Sequence, residues 1–209
     1  MTTSATLIYI GDAMCSWCWG FTPVLDRVRD GFLPRIGFRL IVGGLRPGQA
    51  AVSLDATRRE HLRTHWQAVQ DRTGQPFAWE WLERCGFLYD TEPAARAVVT
   101  VRRLAPAAEY AYFRAAQEAF YARGADLTRL QTLGGLASAL GLDEAEFHRC
   151  YAEDATRALT HEDFRTARNL GVQGFPTLLL QQDDRLFPVT RGYLPHERLE
   201  PVLRGLLAP

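Results

Sequence analysis

The chain has 209 residues, 47% hydrophobic and 23% charged, ordinary values for a globular protein with length enough for a sizeable core. Lys plus Arg and Asp plus Glu both number 24, so the net charge is zero, which excludes the basic footprint of a nucleic-acid binder or a membrane-surface protein. No stretch approaches the roughly 18 apolar residues of a membrane span, and residues 1–5 carry no basic segment of a secretory leader. The expectation is a cytoplasmic protein, and in a reducing cytosol a closely spaced cysteine pair is more readily catalytic than structural.

Thr6-Leu7-Ile8-Tyr9-Ile10 reads as a strand, and Pro23 to Asp30 reads as an amphipathic helix. Between them stands Met14-Cys15-Ser16-Trp17-Cys18-Trp19-Gly20. A C-x-x-C where a strand hands over to a helix is a redox motif with a mechanism. Two intervening residues put both sulfurs on one helical turn, close enough for a disulfide. The unpaired amides and positive dipole end of that turn favour a thiolate on the first cysteine. Cys15 is therefore expected as the exposed nucleophile and Cys18 as the deeper, resolving thiol. A structural zinc would need about four ligands, and the remaining cysteines, Cys85 and Cys150, stand alone.

The helix is expected to bend near Pro23 and to leave at Gly31 and Pro34. Residues 38–42 read as a second strand ended by Gly43-Gly44, which makes a strand–helix–strand crossover with parallel neighbours. From Leu45 to Gly171 strand signals nearly vanish. Helices are expected over 51–71 (capped by Asp55 or Ser53), 78–84, 94–104 (Thr91 as N-cap), 107–122, 127–140, 144–151 (opened by Asp143) and 154–170. Residues 176–181 and 186–190 then form a hairpin across Gln182-Asp183-Asp184-Arg185, with Pro188 marking an edge or a bulge. A helix over 196–207 closes the chain. The expected fold is α/β, with domain parts 1–45 and 171–209 carrying a helical insertion at 46–170. Pro176, at the mouth of a strand after Gly171-Val172-Gln173-Gly174-Phe175, is either a cis-proline or a trans residue that only starts the strand.

That order of elements, with Asp12 to Gly20, Asp90 to Ala97 and Gly171 to Thr177, resembles the DsbA-like branch of the thioredoxin superfamily, nearest to its cytoplasmic, FrnE-like protein-disulfide isomerases. The resemblance implies a thioredoxin fold with a large inserted all-helical domain and a thiol–disulfide oxidoreductase acting through mixed disulfides. It implies that Pro176 is the cis-proline beside the cysteines and that the Phe175 backbone pairs with an extended substrate. Trp17 would add an apolar rim, with Trp19 either beside it or in the core, and Asp12 is a candidate for proton transfer near Cys18 or a turn carboxylate. No metal or cofactor is implied beyond the Cys15–Cys18 disulfide itself, with glutathione as a possible co-substrate. Expected partners are protein or peptide thiols and disulfides, or small thiols, with no nucleic acid and no membrane. Secreted DsbA proteins carry a histidine beside the second cysteine, where Ser16-Trp17 stands here, so a less oxidising couple is expected.

Two rivals share these features. Kappa-class glutathione transferases and hydroxychromene-carboxylate isomerases have the same fold but typically use a serine where Cys15 stands. A peptide-binding adaptor would use the groove beside Pro176 without thiol chemistry. His61 and His65 sit at i, i+4 with no third ligand and are expected on a solvated helix face. Cys85 and Cys150 are expected as separate buried thiols, with a second redox pair as the alternative.

Overall fold

The computed structural model describes residues 5–33, 35–84 and 86–208. Pro34 and Cys85 lie outside the described residues, and with Cys85 the question of a second cysteine pair. The backbone of the fold is a four-stranded sheet in the order β2-β1-β5-β6, formed by β1 (Ala5–Gly11), β2 (Gly37–Val42), β5 (Thr177–Gln182) and β6 (Arg185–Arg191). β1 runs parallel to β2 and antiparallel to β5, and β5 and β6 form the hairpin. β1 is apolar on both faces because both faces are covered. Leu7 and Tyr9 pack into the main core, whereas Ile8 and Ile10 meet Ile41, Leu179 and Ala167 on the other side.

The helix after β1, α1 (Ser16–Phe32), is continuous through Pro23. Proline has no N–H, so the carbonyl one turn earlier, Trp19 O, is left without its helical donor. The Gln75 side-chain amide takes it at 2.9 Å. Across the sheet from α1 lies α7 (Asp154–Asn169), and α8 (His196–Leu207) packs beside α1. α7 also closes the exposed edge of β2. Asp163 Oδ2 accepts the Val42 N–H at 3.0 Å, and Arg102 donates to Leu40 O at 3.0 Å while pairing with Asp163 at 2.7 Å. An unpaired strand edge is thereby plugged by side chains of the inserted helices.

That inserted bundle comprises α2 (Ala56–Thr73), α3 (Glu92–Leu104), α4 (Glu109–Tyr121), α5 (Leu130–Ala139), α6 (Glu144–Ala152) and α7. The fold is a thioredoxin-like sheet flanked by this bundle. Two of its caps are side-chain carboxylates on backbone amides: Asp55 accepts from Arg58 N and Asp143 from Glu146 N, both of which the sequence pattern predicts. Four expectations differ, the first being that α5 begins at Leu130 rather than at residue 127. Residues 51–55 are not helical, because Val52–Ser53 (β3) pairs with Leu88–Tyr89 (β4) in a two-stranded ribbon. Residues Trp79–Glu83 form a 3-10 helix rather than an α-helix. Thr91 stands at the N-cap of α3 without capping it, since its hydroxyl accepts from Arg46 N and Asp90 Oδ1 takes the Glu92 N–H instead. Pro188 lies opposite Leu179 at the register shift of β5 and β6, on an edge strand.

Candidate active site

Cys15 is the N-cap residue of α1, in an extended conformation (φ −95°, ψ 118°), so its side chain sits where the first unpaired helical amides point. Its own N–H donates to Asp12 O at 3.1 Å, which closes the turn between β1 and the helix. Asp12 fastens that turn a second time. Its carboxylate accepts from Met14 N at 2.8 Å and from Leu45 N at 2.7 Å, tying the loop before Cys15 to the segment that leaves β2. Asp12 is 2% exposed, and burial raises its carboxyl above the ordinary value against the pull of those two amides.

Cys15 and Cys18 are both free thiols. Cys15 retains 7% exposure whereas Cys18, inside the first turn of α1, has none. The Cys18 thiol is pushed well above its ordinary value, first by burial and then by the adjacent Cys15; the Asp12 backbone amide and the Tyr9 hydroxyl act in the opposite sense. Tyr9, Tyr89 and Tyr121, all buried, stand behind the cysteines, and burial raises each phenol. Tyr89 donates to Met14 O, one residue before the nucleophile position. Gly11 has no side chain because a Cβ there would lie 2.6 Å from the Tyr9 hydroxyl.

The other wall comes from the far end of the chain. The Phe175–Pro176 peptide bond is cis, and Pro176 is buried at the start of β5. The Cys15 thiol lies 3.7 Å from the Phe175 carbonyl oxygen, 160 positions away in sequence. The Phe175 ring rests on Gly43, where an added Cβ would come within 2.1 Å of it; this close approach accounts for the glycine that ends β2. Trp17 is half-buried and packs against Tyr193 with centroids 5.8 Å apart. Those two rings, Phe175, Gly192 and, from α2, Ala68 and Arg72 line an open cavity of about 450 Å³. Trp19 is not on that rim. It is 6% exposed, stacks on Tyr121 and donates to Pro76 O at 3.0 Å, locking α1 to the insertion.

All six residues singled out from the sequence, Asp12, Cys15, Trp17, Cys18, Phe175 and Pro176, thus lie within one site built from the β1–α1 turn and the β5 entrance. The sequence reading missed Tyr9, Tyr89 and Tyr121, and took Gly43 only as the end of the second strand. A phenol in a strand pattern reads as core, and only the Tyr9-x-Gly11 spacing, a bulky residue beside a missing side chain on one strand face, hinted at more. His61 and His65 are exposed on α2, and among the described residues no three His, Cys, Asp or Glu side chains converge as a metal site.

A sheet of this topology, a C-x-x-C opening its first helix and a cis-proline loop facing the first cysteine define a thioredoxin-class dithiol protein. The chain belongs to the DSBA-like thioredoxin domain family, whose model matches residues 6–200. It is similar to a candidate protein disulfide isomerase from Nitrosomonas europaea, at 35% identity and a TM-score of 0.91 over 98% of each chain. It is also similar to the cytosolic disulfide reductase DsbM from Pseudomonas aeruginosa, at 26% identity and a TM-score of 0.79 over 97% of this chain and 98% of that one. The ClpXP adapter protein SpxH from Halalkalibacterium halodurans is 25% identical over 94% of this chain, which spans 65% of that curated relative's length.

Proposed function

We propose that the protein is a thiol–disulfide oxidoreductase in which Cys15 attacks and Cys18 resolves. The observation that carries this reading is the asymmetry of the pair: Cys15 is the helix cap beside the Phe175 carbonyl and keeps 7% exposure, and Cys18 is fully enclosed one turn on. The Cys15 thiolate attacks one sulfur of a substrate disulfide, forming a mixed disulfide and releasing the other sulfur as a thiolate. Cys18 then gives up its proton and attacks the Cys15 sulfur, releasing the second substrate thiolate. Two electrons pass to the substrate, and the Cys15–Cys18 disulfide remains. Part of what holds Cys18 protonated is Cys15 itself. Once Cys15 is joined to substrate sulfur as a mixed disulfide that contribution disappears, which favours deprotonation of Cys18 after attack. Asp12, its carboxyl raised by burial, is the proposed proton acceptor. The cis-proline loop offers the Phe175 backbone to an extended substrate, and Trp17 forms the apolar rim.

The similarity to a cytosolic disulfide reductase, also solved with glutathione, supports a cytoplasmic setting with glutathione as the co-substrate that reopens the Cys15–Cys18 bond. In this reading residues 1–45 and 171–209 carry the chemistry and 46–170 is the inserted domain. The similarity to a ClpXP adapter keeps one alternative, peptide binding in the same groove without exchange. The Cys18→Ala protein, exposed to a peptide disulfide, should accumulate a mixed disulfide through Cys15 that intact-mass spectrometry detects, and Cys15→Ala should accumulate none. Equal peptide retention by both variants with no covalent adduct would favour the adaptor.

A further inference from the structure

One face of α2 carries Arg58, His61, His65, Ala68 and Arg72, spaced three or four residues apart and all exposed. At 100° per residue these positions fall within a narrow stripe beside the buried face made by Trp66 and Val69. The stripe reaches the redox site at one end and runs on to a second cavity at the other. At its C-terminal end, Ala68 and Arg72 line the cavity that contains Trp17 and Phe175. At its N-terminal end, Arg58, His61 and His65 line a second cavity of about 220 Å³ with Arg46 and Tyr89, the tyrosine that holds Met14 O. At the level of the first cavity α2 is pressed onto α1 at Gly20, where a Cβ would meet Val69 at 2.8 Å.

The acids of α2 do not face this stripe. Glu60 pairs with Arg63 and Asp71 accepts from Gln67, both on another side of the helix. Asp55 neutralises Arg58 in an exposed pair, Asp90 is taken by the amides of Gly48 and Glu92, and Asp12 is buried. Among the described residues neither Arg46 nor Arg72 makes an ion pair. The result is a wall with one arginine free of ion pairs among the described residues in each cavity, Arg72 and Arg46, on a chain with no net charge.

We propose that this wall selects acidic polypeptide segments as the disulfide substrates of Cys15. The inference rests on the oxidoreductase reading and adds the substrate class. Length separates a peptide from a small thiol. From Arg58 to Arg72 the stripe runs about 21 Å along the helix, whereas an extended tripeptide spans at most about 10 Å. A segment of six or more extended residues reaches both cationic ends, with its cystine over Cys15 and carboxylates toward Arg46 and Arg72. Reduction is balanced as above: the peptide disulfide gains two electrons and two protons, and Cys15 and Cys18 become the disulfide.

Three disulfide-bearing peptides of equal length, with acidic, neutral or basic residues flanking the cystine, test this against pre-reduced protein in single turnovers. The acidic peptide should react about tenfold or more faster than the basic one at low salt, with the ratio falling toward one as salt is added. R46Q/R72Q should bring the ratio close to one, and the charge reversal R72E should turn it toward the basic peptide. A wild-type ratio near one, or a ratio that survives R46Q/R72Q, overturns the proposal. So does glutathione disulfide reacting faster than every peptide and being the only substrate slowed in R46Q/R72Q. Anisotropy of the reduced acidic and basic peptides bound to Cys15→Ala gives a second readout without chemistry. If the neutral disulfide is not reduced at all, the oxidoreductase reading falls, while preferential binding of the acidic peptide still decides the stripe.

Discussion

The two walls of the site are made differently. The sheet-side wall, from Asp12 to Cys18 and from Phe175 to Pro176, is held by backbone: a helix cap, amides on the Asp12 carboxylate, and a carbonyl facing the Cys15 thiol. The insertion wall is held by rings. Trp66 is fully buried, with Phe77, Trp81 and Tyr121 centroids 5.0, 5.7 and 5.3 Å away, and it carries α2 against the site. Reactive atoms thus stand on hydrogen-bonded backbone that tolerates little displacement, and the surface that meets a substrate stands on a packed aromatic cluster. Damage to the first should affect every substrate alike, and damage to the second should change which substrates are chosen and how firmly the insertion is folded.

Trp66→Ala breaks the ring-built wall at its centre. Removing a fully buried indole should cost about 3–5 kcal/mol in chemical denaturation. The indole N–H of Trp66 has no partner, so Trp66→Phe should retain most of the packing and lose far less. Comparable losses in the two variants would mean that ring packing is not what holds this wall.

Gly43→Ala probes the sheet-side wall at Phe175. The new Cβ would meet the Phe175 ring, so that ring and its carbonyl must shift, at about 1–3 kcal/mol for overpacking. Exchange with peptide disulfides should slow several-fold while both cysteines still titrate with a small thiol reagent. An unchanged rate would show that Phe175 does not shape the groove.

Asp12→Asn gives the smallest effect and reads the backbone-held wall through pH. Burial raises the Asp12 carboxyl above its ordinary 3.8. A raised acid favours folding while protonated, so its contribution is present below the unfolded value and is lost as pH rises through the folded one. The wild type should therefore lose stability relative to Asp12→Asn as pH rises above the ordinary 3.8 and through the raised folded value. Parallel stability profiles for the two proteins would show that Asp12 carries no raised value.

Much of the backbone-held wall was legible in the sequence because its signals are local. The C-x-x-C follows a strand and opens a helix, Gly43 ends β2, and Pro176 opens β5, each within a few residues of its cause. Asp55 and Asp143 were legible as caps for the same reason. The contacts that complete the site are not local. Asp12 reaches Leu45, Tyr89 reaches Met14 across 75 positions, and Thr91 spends its hydroxyl on Arg46 rather than on its own helix. The β3–β4 ribbon escaped notice because strands of two residues carry no period to read. α2 showed its stripe only once its neighbours were known, since exposed cations on a helix face look alike whether they meet water or a groove.

The order of reactivity of the cysteines tests the central claim most directly. Fully reduced protein is treated briefly with iodoacetamide near neutral pH and the sites are mapped by mass spectrometry over time. Cys15, at the N-terminus of α1, should be alkylated first, ahead of Cys150, which is about as buried but lies in the last turn of α6, and of Cys18, which is fully enclosed. Labelling of Cys18 ahead of Cys15, or of all three at one rate, would contradict the assignment of attack to Cys15 and resolution to Cys18.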